Sequence, residues 1–432
     1  MIYTSLKISK HLSFSSLALI IFFACAFEPC ATAETVKVDS LRQKAKQNDP
    51  EAQLKLANQY FYGNKRKRNY TLAVHWYRKA AKQNSPDAQY NLATCIKYGL
   101  GITKNNYYAF LWYEKAAKNG SKPAKYNLAM YYLSGIPAVT KGEHKNPEIP
   151  PDYRRTKKMM TALAVSKYVP AIRQVAVLIL KNPLGTPEEK DKNLAFRLFK
   201  LAASMGDSIA VCKLADCFYY GIGCPKDQAK MLFYLNKAVK ANNAEAMGKL
   251  GYCYLYGQGV GRDEKKAFVL FERAAKLGLA MAQVKMGEYY FEGRHVEKDF
   301  VIGTQWYRLA AAQNNSFAIF KLGVLYSEGL GVKKNESKGA NYFIKAAKMG
   351  NVHAQFNIAC FFQSGKVIQK NLRAAFFWFS QAAAQNDPSA QRRLALCYFK
   401  GIGTKQSEQE GIKWMERAAK NGDHEAIKLL SP

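Results

Sequence analysis

The sequence predicts an all-α fold, a right-handed αα-superhelical solenoid of about ten 36-residue helix–turn–helix repeats. Three observations carry this prediction. Alanines recur 36 residues apart at Ala52, Ala88 and Ala124, and again from Ala210 through Ala246, Ala282, Ala318, Ala354 and Ala390 to Ala426. Each opens the frame Ala-x-x-x-Leu-(Ala/Gly)-x-x-aromatic-x-x-Gly, as in Ala246, Leu250, Gly251, Tyr254 and Gly257. A capping residue then opens a second amphipathic segment in every unit. Composition agrees: 48% hydrophobic and 13% aromatic content excludes a disordered chain. No apolar run past the N-terminus approaches the ~20 residues that span a bilayer.

The first 33 residues read as a secretory signal. Lys7, Lys10 and His11 form a basic start, and Leu17–Phe27 is continuously apolar. Ala31-Thr32-Ala33 then supplies small residues for cleavage before Glu34. The expected location is therefore exported, periplasmic or secreted, with an outer-membrane lipoprotein attached at Cys25 as the weaker alternative. Segment 34–135 is read as N-terminal repeats, 136–151 as a Pro-rich insertion loop, and 152–432 as C-terminal repeats. The insertion carries Pro137, Pro147, Pro150 and Pro151 and reads as exposed and partly extended. Ala171 marks a shifted unit, 47 residues after Ala124 and 39 before Ala210.

Within a unit, Ala, Leu and the aromatic at i, i+4 and i+8 share one face, so helix A is amphipathic and stops at its Gly. Helix B opens at Asn69, Asn105, Asp152, Asp191, Asp227, Asp263, Asp299, Asn335, Asn371 and Ser407. It carries an aromatic pair such as Trp76-Tyr77 or Trp306-Tyr307, then Ala-Ala, which allows close helix approach. Gly or Asn ends it, as at Gly278 and Gly350. A single αα-hairpin cannot bury its own face, so stacking builds the core. Asp39–Asn48 reads as a leading helix fragment and Glu425–Leu430 as a trailing helix A.

These residues resemble the Sel-one-like repeat (SLR) family of tetratricopeptide-like solenoids, whose pattern AxxxLGxxYxxGxGV, capping Asp, AxxWYxxAAxxG is met almost verbatim by Ala246–Gly278 and Ala318–Gly350. The resemblance spans most of the chain past the signal. Lys181-Asn182-Pro183 and Met159-Met160 depart from it, and the second Gly of GxG is lost after Gly63 and Gly293. The resemblance implies a non-catalytic scaffold for protein–protein contact, in envelope complex assembly or host–bacterium interaction. It also implies an alternative, binding or hydrolysis of β-lactams or peptidoglycan fragments, associated with a cysteine-rich branch that pairs cysteines in nearly every repeat. Here several units lack them.

Seven cysteines follow the signal, an odd number. Cys95, Cys217, Cys253 and Cys397 share one repeat position and read as small apolar interface residues. A disulfide among Cys212, Cys217 and Cys224 is the open alternative. No histidine pair has helical metal-ligand spacing and no carboxylate pair stands out, so no catalytic residues, metal or cofactor are expected.

The surface pattern says more. Counted from the first Ala of helix A, position +3 reads Lys55, Asn91, Asn127, Gln174, Lys213, Lys249, Lys285, Lys321, Asn357 and Arg393, with no acid among them. Position +10 carries Tyr62, Tyr98, Tyr220 and Tyr256. Seven residues nearly complete two turns, so the two positions share a face. In the family this resembles, helix A lines the concave surface. The expectation is a basic, Asn- and Tyr-bearing groove for a protein or acidic peptide, with the lysines as solvated side chains. The formal charge of +33 also suits an anionic membrane or lipopolysaccharide surface. Nucleic acid is disfavoured, because the clusters at residues 65–68 and Arg154–Lys158 lie in or near loops.

Overall fold

The structure, a computed structural model, describes residues 33–64, 67–139, 146–181 and 188–430. The expected signal segment thus lies outside the described residues except for Ala33, as do Lys65, Arg66 and the middle of the insertion. The chain divides into two compact units, Met1–Leu178 and Ile179–Pro432. Among the described residues there are 22 helices and no other helix or strand longer than an isolated bridge. Helix α1 (Ala33–Lys46) leads, starting earlier than the expected fragment at Asp39. Helix A of successive repeats is α2 (Pro50–Tyr62), α4 (Pro86–Tyr98), α6 (Lys122–Ser134), α8 (Val169–Leu180), α10 (Ser208–Tyr220), α12 (Ala244–Tyr256), α14 (Ala280–Glu292), α16 (Ser316–Glu328), α18 (Val352–Ser364) and α20 (Pro388–Lys400), with α22 (His424–Leu430) trailing. Helix B is α3 (Tyr70–Lys82), α5 (Asn106–Lys118), α7 (Tyr153–Val165), α9 (Glu189–Ser204), α11 (Gln228–Lys240), α13 (Glu264–Lys276), α15 (Phe300–Ala312), α17 (Glu336–Lys348), α19 (Leu372–Ala384) and α21 (Glu408–Lys420).

Local chemistry sets these boundaries. Nine of the ten expected residues cap helix B, each accepting a backbone N–H from the first turn, as Asp227 does from Lys230 at 2.8 Å. The exception is Asp191. Helix α9 starts earlier, at Glu189, so Asp191 sits within its first turn and accepts the Glu188 N–H at 3.2 Å. Helix A is capped as well, and the cap often bonds the N–H of the frame alanine: Asp387 to Ala390 at 2.7 Å, Asn243 to Ala246 at 2.9 Å. The second Gly of the GxG turn lies against the preceding helix B, where a Cβ at Gly331 would collide with the Phe300 carbonyl. His295 fills that place in one repeat and keeps the left-handed backbone, φ 59°. Its ring rests against Phe268 and Tyr289, so the turn survives loss of the Gly. The two ends of the insertion run extended and pair with each other. Ile136 and Ile149 exchange backbone hydrogen bonds at 2.7 and 2.9 Å, Val139 pairs with Asn146, and Ile136 is buried.

In each unit the core is a seam of small residues flanked by rings. The frame alanines of helix A and the first Ala of the helix B pair are buried in nearly every repeat. The second aromatic of the helix B pair enters the same seam, as Tyr77, Tyr113, Phe271 and Phe379. The small residue after the frame Leu makes room for it: a Cβ on Gly251 would lie 2.9 Å from Phe271, and one on Gly323 would lie 2.6 Å from Phe343.

A polar clamp ties adjacent repeats. The residue after the frame Ala is a buried Gln in five repeats. The Gln355 amide donates to the carbonyl of Ala347, at the end of the preceding helix B, at 3.2 Å. Its oxygen accepts from the Gln385 amide, at the end of its own helix B, at 2.8 Å. Gln53, Gln89, Gln283 and Gln391 repeat this pattern with Gln83, Asn119, Gln313 and Asn421. Where the clamp is absent the position is mostly a buried aliphatic or Met, as at Val211, Met247 and Ile319. Either solution avoids an unpaired buried polar group. Gln355→Ala removes a second bond to the Ala347 carbonyl, which keeps the Gly350 N–H at 2.9 Å, and one bond of Gln385, and is expected to destabilise by about 2 kcal/mol. Gln355→Met, which copies the Met247 solution, is expected to cost about half as much. Urea unfolding followed by circular dichroism separates the two.

Candidate functional site

The residues expected to form a groove do lie on helix A, but their surroundings differ along the chain. Tyr62, Tyr98, Tyr220 and Tyr256 are 58–63% exposed, each at a helix A end. Lys55 is exposed and pairs within its own helix with Glu51 at 2.6 Å. Asn91 donates to Asn58 at 3.4 Å, and Asn127 accepts from Lys97 at 3.5 Å. Gln174, Lys321, Asn357 and Arg393 are half-buried; Lys321 lies over the Phe317 ring at 5.2 Å, and the Arg393 Nε is buried without a partner.

Lys213, Lys249 and Lys285 are not solvated charges. All three are half-buried and each meets a carboxylate. Lys213 on α10 reaches Glu245 on α12 at 2.8 Å and Asp216 at 3.4 Å. Lys249 answers with Asp216 at 2.5 Å and Glu245 at 2.8 Å, so two lysines and two acids close a ring across adjacent A helices. Lys285 pairs with Glu288 at 2.7 Å and lies 5.7 Å over the Tyr252 ring. Burial works against each of these charges. The ion pairs win, and hold the Lys213, Lys249 and Lys285 ammoniums above and the Glu245 carboxyl below their ordinary values. Asp216 and Glu288 stand at position +6, which faces position +3 of the same and the next helix A, as Asn58 faces Asn91. The pattern at +3 alone is free of acids, and it is the +6 and pre-frame positions that neutralise it.

Beside this ring a cleft of about 200 Å³ opens between α10, α11 and α12. Met231, Leu235 and Cys253 give it an apolar lining, with Asp216, Lys249 and Tyr220 among its walls. Tyr219 meets Tyr220 edge-on at 4.7 Å and Tyr252 stacks on Tyr256 at 6.0 Å, which holds the aromatic walls in place. The cleft offers one fixed ion pair, tyrosine hydroxyls and apolar walls, a set suited to binding rather than to bond cleavage.

All seven described cysteines are free, so Cys212, Cys217 and Cys224 form no disulfide. Burial pushes the thiols of Cys95, Cys212 and Cys217 up to about 12, away from the reactive thiolate. Among the described residues no group of His, Cys, Asp or Glu has metal-site geometry, and no helix is long and apolar enough to cross a membrane.

The Glu245 carboxyl titrates below its ordinary value of 4.5 when folded. Its contribution is therefore present above that value and is lost as pH falls through the folded pKa. Glu245→Gln is expected to lower stability by about 1 kcal/mol at pH 7. In thermal melts against pH, the gap to the parent chain should narrow steadily as the solution is acidified below pH 4.5.

The Sel1 repeat profile matches ten segments: residues 50–85, 86–121, 122–148, 170–207, 208–243, 244–279, 280–315, 316–351, 352–387 and 388–423. Among solved structures, the Sel1 repeat protein from Oxalobacter formigenes is 30% identical, with 53% of this chain and 94% of that chain covered and a TM-score of 0.50. A protective antigen present in uropathogenic Escherichia coli strains, displaying an SLR fold, is 25% identical over 91% of each chain with a TM-score of 0.43. An immunity protein from Pseudomonas aeruginosa is 20% identical, with 51% of this chain and 83% of that chain covered and a TM-score of 0.37. No curated protein matches the chain. The ten matched repeats, which together span most of the chain, establish that the chain belongs to the Sel1 repeat family.

Proposed function

We propose that the chain is a non-catalytic, exported scaffold that holds an extended segment of a partner protein along the helix A face of α10, α12 and α14. The observation that carries this reading is the pairing of exposed Tyr220 and Tyr256 with a half-buried ring of ion pairs and a small apolar cleft. Tyrosine offers a large contact area with a polar tip and few torsions to freeze. The ion ring is fixed before any partner arrives, so little reorganisation is required on binding. Because Lys213, Lys249 and Lys285 already have carboxylate partners, attraction on this face rests on shape, tyrosine contacts and hydrogen bonds. Net positive charge contributes little there.

Crosslinking pull-down with the chain lacking residues 1–33 identifies the partner. Replacing both tyrosines, Tyr220→Ala with Tyr256→Ala, is then expected to weaken that partner at least tenfold, roughly 1.4 kcal/mol. The melting curve should stay in place, because both rings are exposed. Unchanged binding would sink the helix A reading. Export is tested separately by N-terminal sequencing of the chain recovered from producing cells, where Glu34 is the expected first residue and an intact Met1 the contrary result.

A further inference from the structure

The third repeat breaks the clamp and turns the gap basic. Where five repeats bury a Gln and most others an aliphatic or Met, this repeat has Lys125, and its side chain is exposed. Helix B departs at the same point. Leu163 replaces the Ala that other repeats bury in the seam, and Ser166 stands at the helix end where the clamp's amide partner would be. Ala117, Lys125 and Ser166, the three clamp positions, instead line a cleft of about 450 Å³ between α5, α6 and α7. Its floor is apolar, from Leu128, Met159 and Leu163.

The rim is cationic. Lys118, Lys122, Lys125 and Arg155 surround the cleft, and Glu114 is its single acid. Glu114 lies 3.7 Å from Lys118; Lys122 donates to the Ser166 carbonyl at 3.3 Å, and Arg155 lies 4.0 Å over the Tyr132 ring. Neither Lys122, Lys125 nor Arg155 has a carboxylate partner among the described residues. A Lys at the last turn of helix B recurs through the array and answers the helix dipole, but Lys122 and Lys125 have no counterpart in any other repeat. A second cleft, with Lys82, Lys115 and Trp112, adjoins through the shared Lys118. The imbalance is regional: residues 34–178 hold 26 Lys and Arg against 9 Asp and Glu, whereas residues 179–432 hold 37 against 22.

We infer that this cleft docks an acidic peptide segment of a partner protein, with a large apolar side chain seated on the Leu128–Met159–Leu163 floor and flanking carboxylates met by Lys122, Lys125 and Arg155. Cations without a carboxylate partner, here Lys122, Lys125 and Arg155, concentrate the field of a low-dielectric recess where carboxylates would sit. A recess with a second cleft beside it, the two sharing Lys118, suits an extended chain, whereas a planar bilayer meets only its rim. This site is separate from the helix A face and does not depend on it.

The test uses fluorescence anisotropy of the chain lacking residues 1–33 with a short fluorescein-labelled peptide of alternating Glu and Leu. Lys122→Gln with Lys125→Gln and Arg155→Gln is expected to weaken binding about tenfold or more. Lys237→Gln with Lys240→Gln and Lys265→Gln, an equal loss of exposed charge elsewhere, should leave it unchanged, as should Tyr220→Ala with Tyr256→Ala. Lys125→Gln alone installs the residue five other repeats use, so it should fold at least as well and still weaken the peptide several-fold. A Glu–Ser peptide bound as tightly as the Glu–Leu peptide, or equal losses from the two triple variants, would overturn the site. So would failure to bind the peptide at all, whether or not the chain sediments with phosphatidylcholine vesicles containing phosphatidylserine.

Discussion

Two helices cross most closely where neither carries more than a methyl group, and nearly every repeat is built around such a crossing. The frame Ala of helix A and the first Ala of the helix B pair are both fully buried through most of the array. Every other choice follows from holding them together. The buried ring of helix B needs Ala or Gly opposite it, and at Gly251 and Gly323 even a methyl would press against Phe271 or Phe343. The caps must then start each helix on the residue that brings its Ala to the seam, which is why the caps of helix A bond that alanine's own N–H. The seam supplies non-directional burial; caps and left-handed turns fix the register.

Between repeats a different device operates. Buried glutamines join the end of one helix B, through their own helix A, to the end of the next, and add a second bond to carbonyls that otherwise hold only a turn N–H. An aliphatic or Met at the same position fills the volume instead. The third repeat does neither. There the position is free to carry charge, and the surface it exposes is unlike the rest of the array. A repeat protein can diversify in this way, since one junction can change its chemistry while each neighbour keeps its own seam.

The helix A face between Lys213 and Glu288 illustrates how a repeated position acquires meaning from its neighbours. Position +3 is basic or amide in every repeat, yet its electrostatic character is decided by Asp216, Glu245 and Glu288. Where these acids are present the lysines are fixed, half-buried struts. Lys321 makes no ion pair among the described residues, since Glu288 is engaged with Lys285, and its ammonium lies on an aromatic ring instead. Charge on this protein is therefore patterned junction by junction, and the formal excess is densest in residues 34–178, where few acids oppose it.

Periodicity alone determined the hairpins, because burial of a helix face imposes spacing that is visible in a single chain: the frame alanines, the ring pair and nine of ten helix B caps stand where the pattern puts them. Asp191 escaped it because the shifted fourth unit starts α9 earlier. The insertion's pairing escaped it too, since prolines mark extended backbone but not which residue faces which; the hydrogen bonds of Ile136 with Ile149 close it. Whether Cys212, Cys217 and Cys224 pair was likewise open in the sequence, and all three are free. The partners of Lys213 and Lys249 lie about 32 residues away or on the next turn, and the clamp joins side chains 30 residues apart. Sequence determined which residues share a helix face. Only the tertiary structure decided which faces meet, because hydrogen bonds and ion pairs act over a few ångströms and stacking brings together atoms that the chain holds a full repeat apart.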